Sequence, residues 1–454
     1  MADTRRSPPA ESLAAAALPA AVAGLLAHTL PSGGRIGVAL SGGRDSVALL
    51  DAAVDVAANA RCEVIALHVH HGLSANAGAW AAFCRDACSA KAIPFAMREV
   101  QIMRAARVSV EAAARAARYE ALDALAREHG ACAVLLAHHA DDQAETTLLQ
   151  LLRGAGPHGL AAMPSARLAK GIWWLRPFLA LRRTSVDAYV AHRGLRYIND
   201  ESNADLRYRR NALRETIVPG LRAMSPGYPG ALVRAAAHQA EAAALLDEFA
   251  ELDARSAWDG ATLDCATLRA HSAARGRNLL RWFLRQRGLR APSSARIAEM
   301  LRQLTSAGND TRVAIAHGGV ALGVHRGRIV IHRAPPARYA QEWSGALAVE
   351  LAHGTLNFTA TRGAGIAARH LASSRVTIRM GMHGERLRLA GRDSHRSVAD
   401  LLREAGVATW DRIGLPRVYC GEALAGVPFA GVDARFAATH DEPAFALDWQ
   451  PRPA

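Results

Sequence analysis

Two stretches of this 454-residue chain hold the residue types that chemistry at a phosphate requires. In the first, Ser41, Gly42, Gly43, Arg44, Asp45 and Ser46 follow one another. The glycines let main chain approach a ligand closely. Free N–H groups at a following helix start suit a phosphate. Ser41 and Ser46 add hydroxyl donors, and Asp45 suits a Mg²⁺ ion held against phosphate oxygens. The loop is not a Walker A loop, because a Gly-Lys-Ser/Thr ending is absent. Ordinary capping by Ser or Asp is the ligand-free alternative.

The second stretch is His138-His139-Ala140-Asp141-Asp142-Gln143-Ala144-Glu145-Thr146. Asp142 and Glu145 are three apart, so their carboxylates share the first turn of a helix. They suit Mg²⁺ or a substrate ammonium, or simply complement the positive helix end. Between the stretches, Arg115 and Arg118 fall on one helix face, with Glu111 one turn before Arg115. They are either aimed at phosphate charge or paired with Glu111 on a solvated face. The histidines at 68, 70, 71, 138 and 139 lack the cysteines, or the His-Glu-x-x-His spacing, of a zinc site.

The elements that must position these residues alternate. Apolar runs at 36–40, 62–69, 95–100 and 131–137 read as strands. Runs at 47–57, 77–92, 110–129 and from the second stretch to Arg153 read as helices. That alternation predicts an α/β fold with a parallel sheet covered by helices on both faces. Ligands of such sheets lie at the carboxyl ends of the strands, where both stretches emerge.

Composition narrows the class. The formal charge is +14, and Lys91 and Lys170 are the only lysines among the cations. An arginine-rich surface suits phosphate and RNA partners. The six cysteines form no CxxC pair, which points to a reducing cytoplasm and not to a disulfide scaffold. Cys84 and Cys88 are expected in a core. No stretch reads as a membrane span. Residues 13–30 read as an amphipathic helix that packs on the first domain behind a flexible leader.

The Ser41–Ser46 string resembles the SGGxDS loop of PP-loop ATP pyrophosphatases. With it come His71-Gly-Leu73, the Glu111…Arg115…Arg118-Tyr119 helix, the 138–146 stretch, Arg153-Gly-Ala-Gly156, Gly159–Met163, Arg176-Pro-Phe178, Asn199–Asp205, Tyr208–Asn211, Arg214 and Pro219. Together these resemble the tRNA(Ile)-lysidine synthases over nearly the whole first half. The resemblance implies an adenine nucleotide alpha-hydrolase-like (PP-loop) domain followed by two smaller α+β domains that bind tRNA. It implies ligation of free lysine to the wobble cytidine of a CAU-anticodon isoleucine tRNA, through an adenylated cytidine, with release of AMP and pyrophosphate. By the same resemblance, Ser41, Gly42, Gly43, Arg44, Asp45 and Ser46 hold ATP, with Mg²⁺ on Asp45. Asp45, Arg115 and His138 serve catalysis, and Asp142 and Glu145 receive the lysine ammonium groups. A homodimer is among the expected assemblies.

The expected segments are a leader and helix over 1–34, an ATP-binding catalytic domain over 35–222, a linker helix and small α+β domain over 223–335, and a final α+β domain over 344–454. From Arg176 to Arg214 there are nine arginines against four acids. Arg207, Arg209, Arg210 and Arg214 are the expected tRNA-backbone contacts. In the last domain Gly406-Val-Ala-Thr-Trp-Asp-Arg412 resembles a family Gly-Val-Pro-x-Trp-x-Arg stretch, with Ala408 in place of the proline. Three rivals share parts of this pattern: a tRNA thiolase, which should carry catalytic cysteines; a small-molecule amidating synthetase, which needs no basic second half; and a non-catalytic RNA-binding protein.

Overall fold

In the sequence Ile36-Gly-Val-Ala-Leu40, Ile36 and Val38 face one side of a strand and Ala39 the other, as period-two alternation requires. The structure is a computed structural model and describes residues 10–70, 76–101, 110–199, 205–307, 313–333 and 337–452. His71-Gly-Leu73 and most of the Asn199–Asp205 run lie outside the described residues. The chain packs as two units, 1–245 and 246–454.

The first unit opens with α1 (Ala10–Thr29), β1 (Gly34–Ala39), α2 (Arg44–Ala57), β2 (Cys62–His70), α3 (Ala77–Ser89), β3 (Phe95–Glu99), α4 (Val110–Glu128) and β4 (Ala133–Leu135). It continues with α5 (Ala140–Leu151), α6 (Pro157–Leu160), β5 (Ala166–Ala169), β6 (Ile172–Leu175), α7 (Arg183–His192) and α8 (Arg209–Ala212). A π-helical turn (Leu213–Ile217) leads into α9 (Val218–Met224), and α10 (Tyr228–Ala254) spans the boundary between units.

The sheet order is β3-β2-β1-β4-β6-β5. All pairings are parallel except β5 with β6 at the edge. One face buries Leu49, Leu50, Cys84, Cys88, Val186 and Tyr189 from α2, α3 and α7. The other face buries Leu122, Leu125 and Ala126 of α4. Burial pushes the Cys84 thiol up to about 12, so it stays a protonated packing group. Leu18, Val22 and Leu26 of α1, four residues apart, join the first face, and α1 packs on α2 and α7.

Two local differences from the sequence reading stand out. The 131–137 run pairs as a strand only over Ala133–Leu135, so His138 emerges on irregular chain just beyond it. The run holding Trp173 and Trp174 is the short strand β6, with Trp174 buried.

The second unit holds a β7 (Leu263–Asp264), β8 (Ile315–His317), β9 (Val320–His325), β10 (Arg328–His332) sheet in order β7-β10-β9-β8, all antiparallel. Helices Ala273–Gln286 and Ser294–Ser306 pack Leu279, Phe283, Met300 and Leu304 into its core. Beyond it, a five-stranded and a four-stranded sheet share one core. Trp410 stacks on His332 with ring centres 4.2 Å apart and 4° between planes. Gly323 leaves room for this ring, since a Cβ there would lie 2.4 Å from it.

Candidate active site

At the carboxyl end of β1 the chain turns sharply into α2. Gly42 takes φ +85, and a Cβ there would meet Ile198 Cδ1 at 2.8 Å. Ile198 N–H donates to Gly42 O at 2.9 Å, tying the loop to the segment after α7. The hydroxyls meet inside the loop: Ser41 Oγ and Ser46 Oγ are 3.1 Å apart, and Ser46 Oγ donates to Gly43 O at 2.8 Å. Gly43 caps α2 with no side-chain cap hydrogen bond, while its own N–H donates to Ser41 Oγ at 3.3 Å. Arg44 is held sideways, its Nη1 2.6 Å from Asp187 Oδ1 and its Nε 3.3 Å from Asp45 Oδ1.

The loop forms part of a cavity of about 630 Å³, lined also by His68, His70, Trp80, Arg118, His139, Arg183, Tyr197, Asn199 and Arg214. A second cavity of about 270 Å³ shares Ser41, Asp45, Ser46, Val69 and Arg118. Its other walls are the apolar Ala39, Leu40, Leu67, Leu122, Leu136 and Ala137, together with His138 and Asp142.

The two histidines before α5 have different fates. His139 is buried and caps the helix: its Nδ1 accepts from Asp142 N–H at 3.4 Å while Asp142 Oδ2 accepts from His139 N–H at 3.1 Å. His139 Nε2 lies 3.8 Å from Asp45 Oδ2, so the imidazole sits between the two stretches. His138 faces the second cavity, and its Nδ1 has no hydrogen-bond partner among the described residues. Burial, then the guanidiniums of Arg176, Arg118, Arg210 and Arg115, hold its imidazole well below the usual range and keep it neutral.

Asp142 and Glu145 are close, as their spacing predicts, but they do not stand alone. Glu145 is 4% exposed. Its Oε2 accepts from Arg210 Nε at 2.7 Å, and its Oε1 accepts from Arg214 Nε at 2.7 Å. Arg214 Nη2 also donates to Glu145 Oε2 at 2.9 Å. Asp142 Oδ1 is 3.4 Å from Arg210 Nη2 and 3.5 Å from Arg214 Nη2. Two carboxylates and two guanidiniums thus form one neutral cluster. Arg210 and Arg214, four residues apart where α8 passes into the π-helical turn, face inward together.

Of the other arginines singled out in the sequence, Arg207 is exposed and bonded to Asp205, with Nη2 to Oδ2 2.7 Å. Arg209 lines an open apolar groove with Leu149, Leu152 and Ile217. On α4, Arg118 lines both cavities, whereas Arg115 donates to Tyr119 Oη at 3.4 Å. Arg176 Nη2 donates to the same phenol at 3.4 Å. Burial opposes the phenolate, but Arg115, Arg176 and Arg118 outweigh it and lower the Tyr119 pKa. The sequence alone assigns no role to Arg176 or Arg183; it offers Tyr197 for stacking on bases and His139 for capping, ATP contact or packing, and the structure places Tyr197 on the larger cavity and His139 as the cap of α5. Arg210 and Arg214, expected from the sequence to contact the tRNA backbone, instead turn inward onto Glu145.

The loop and its sheet define the class. A PP-loop domain model matches residues 20–221, so this is an ATP-utilising PP-loop protein. The chain further matches a TilS substrate binding domain over 263–330 and a TilS substrate C-terminal domain over 376–449. It is 39% identical to a tRNA(Ile)-lysidine synthase of Nitrosomonas europaea over 92% of each chain. It is 41% identical to that of Ralstonia nicotianae over 88% of this chain and 89% of the relative. With the Chromobacterium violaceum relative the identity is 42% over 88% and 92%. The chain belongs to the tRNA(Ile)-lysidine synthase family, a family of ligases.

Proposed function

We propose that this chain uses ATP to join free lysine to the wobble cytidine of a CAU-anticodon isoleucine tRNA. The observation that carries the reading is a pair of cavities that share the Ser41–Ser46 loop at the strand ends: the smaller is lined by the neutral imidazole of His138 and by Asp142, the larger by Arg214 of the acid–guanidinium cluster. The apolar walls of the second cavity suit the adenine, with the triphosphate running along Ser41–Ser46 to the start of α2. Asp45, one-third exposed beside the two serines, would hold a Mg²⁺ ion against the ATP phosphates. Such an ion neutralises phosphate charge.

The cytidine must leave its stack to reach this space. Its C2 carbonyl oxygen attacks the α-phosphorus of ATP, and the bond to pyrophosphate breaks. The lysine side-chain amine then forms a bond to C2, and AMP departs with the former carbonyl oxygen. Arg115 and Arg118 lie on the helix flanking the phosphate path and offset the negative charge that develops. The attacking amine must shed its proton to a relayed water, and His138, on the wall of the second cavity, assists the adenylyl transfer. Asp142 and Glu145 receive the lysine ammonium groups. Arg207 and Arg209, exposed on the same unit, together with the segments 223–335 and 344–454, contact the tRNA backbone. We place the reaction in the cytoplasm, with its tRNA. No helix among the described residues is long and apolar enough to cross a membrane. The homodimer expectation is checked by light scattering.

The test is incorporation of labelled lysine into a CAU-anticodon isoleucine tRNA transcript with ATP and Mg²⁺, against a methionine tRNA of the same anticodon. Incorporation into the first alone is expected. ATP cleavage with no lysine in either RNA would point to another nucleophile.

A further inference from the structure

Glu145 is buried and already satisfied by three guanidinium N–H bonds, so a lysine ammonium cannot simply be added to it. Both acids and both arginines are partly or wholly out of water, and the cluster is neutral as it stands. Bringing in a cation requires a cation to leave, because a buried excess charge is strongly unfavourable. Arg214 is placed to leave. It grips Glu145 and at the same time lines the cavity with Ser41, Asp45 and Ser46. Arg210 can keep its own bond to Glu145 Oε2, so the acid is never left bare.

We propose that Arg214 is an exchangeable plug on the lysine site, drawn off Glu145 by a phosphate entering the Ser41–Ser46 cavity, so that lysine binds after the phosphate. The inference rests on Asp142 and Glu145 being the lysine-binding pair. Exchange keeps the charge count constant. The guanidinium moves from carboxylate to phosphate, for which its fork is equally suited, and an ammonium takes its place. It also orders the reaction, since the amine reaches its site only when the activating group is present. Two phosphates qualify, that of ATP and that of the RNA.

Calorimetric titration of the full chain with L-lysine reads this directly. It is run alone, with a non-hydrolysable ATP analogue and Mg²⁺, with the tRNA transcript, and with both. In the native chain the phosphate-bearing partner should tighten lysine binding about tenfold, within the usual range of such couplings. The arm that does so identifies the phosphate. Lysine must tighten that partner by the same factor. Arg214→Gln should bind lysine without nucleotide or RNA as tightly as the loaded native chain, with coupling near one. Arg214→Lys, which keeps the charge but not the fork, should show reduced coupling in a chain whose acids stay neutralised. Equal lysine affinity in all four native titrations, or full coupling retained in both variants, overturns the plug. Glu145→Gln separates the underlying reading: native lysine affinity in that variant removes the acid pair as the lysine site, whatever Arg214 does.

Discussion

Two buried carboxylates in the first unit look alike and do different things. Asp51 on α2 is 1% exposed and accepts from Lys91 Nζ at 2.5 Å, Tyr189 Oη at 2.8 Å and Arg193 Nε at 2.8 Å. Glu145 on α5 is 4% exposed and also accepts three charge-assisted bonds. The difference lies on the far side of the cations. Arg193 uses its remaining Nη2 on Asp55 at 3.0 Å, on a surface without a cavity among those described. Arg214 has a cavity of about 630 Å³ beside it. A buried ion pair is therefore no sign of function by itself. Access of its counter-ion to a second anion is what turns a packing device into a site that can exchange.

The sharpest way to break the comparison is to remove each acid. Glu145→Gln should lower kcat/KM for lysine about 10²-fold or more, as truncation of a buried charge pair does, in the labelled-lysine assay. Asp51→Ala should leave lysine affinity of the folded protein unchanged and lower unfolding free energy by about 3–5 kcal/mol, read by denaturant titration. Equal effects of the two variants on lysine affinity would erase the distinction.

The pH dependence of stability sharpens it further. Burial works against the Asp51 charge, but the bonds from Lys91, Tyr189 and Arg193 outweigh it and hold its pKa below the ordinary 3.8. That contribution is present above pH 3.8 and is lost as pH falls through the native value. His138 works at a higher pH. The unfolded chain takes up its proton near the ordinary 6.5 while the folded chain does not, so stability declines as pH falls below that value. Replacing His138 by Gln should flatten thermal stability between pH 6.5 and the onset of carboxylate titration.

Smaller effects test the loop and the last domain. Gly42→Ala forces a side chain onto φ +85 and against Ile198, and should weaken ATP binding by about 1–3 kcal/mol in a calorimetric titration. Ala408, where the family stretch has proline, takes φ −63, a value proline already favours. Ala408→Pro should raise stability by about 0.4–1 kcal/mol in denaturant unfolding.

The α/β alternation of the first unit was legible because its strands are apolar runs bounded by turns and its helices are long. β6 was not, since a four-residue strand rich in tryptophan carries no period to read. The loop glycines were legible from type alone. The pairing of Arg210 and Arg214 with Glu145 was not, because 65 and 69 residues separate the partners and only the fold closes that distance. The same arginines, read along the chain, belong to a basic run expected to meet RNA. His139 was obscured for a different reason: as one of two adjacent histidines, nothing local says which one caps α5 and which faces the cavity.

The most direct measurement follows the α-phosphate of ATP. Protein, CAU-anticodon isoleucine tRNA, Mg²⁺ and α-labelled ATP are combined with lysine withheld. Label should accumulate on the RNA with release of pyrophosphate, and added lysine should discharge it as AMP while lysine enters the RNA. Label that never reaches the RNA, with lysine still incorporated, would contradict activation of the cytidine before the amine attacks.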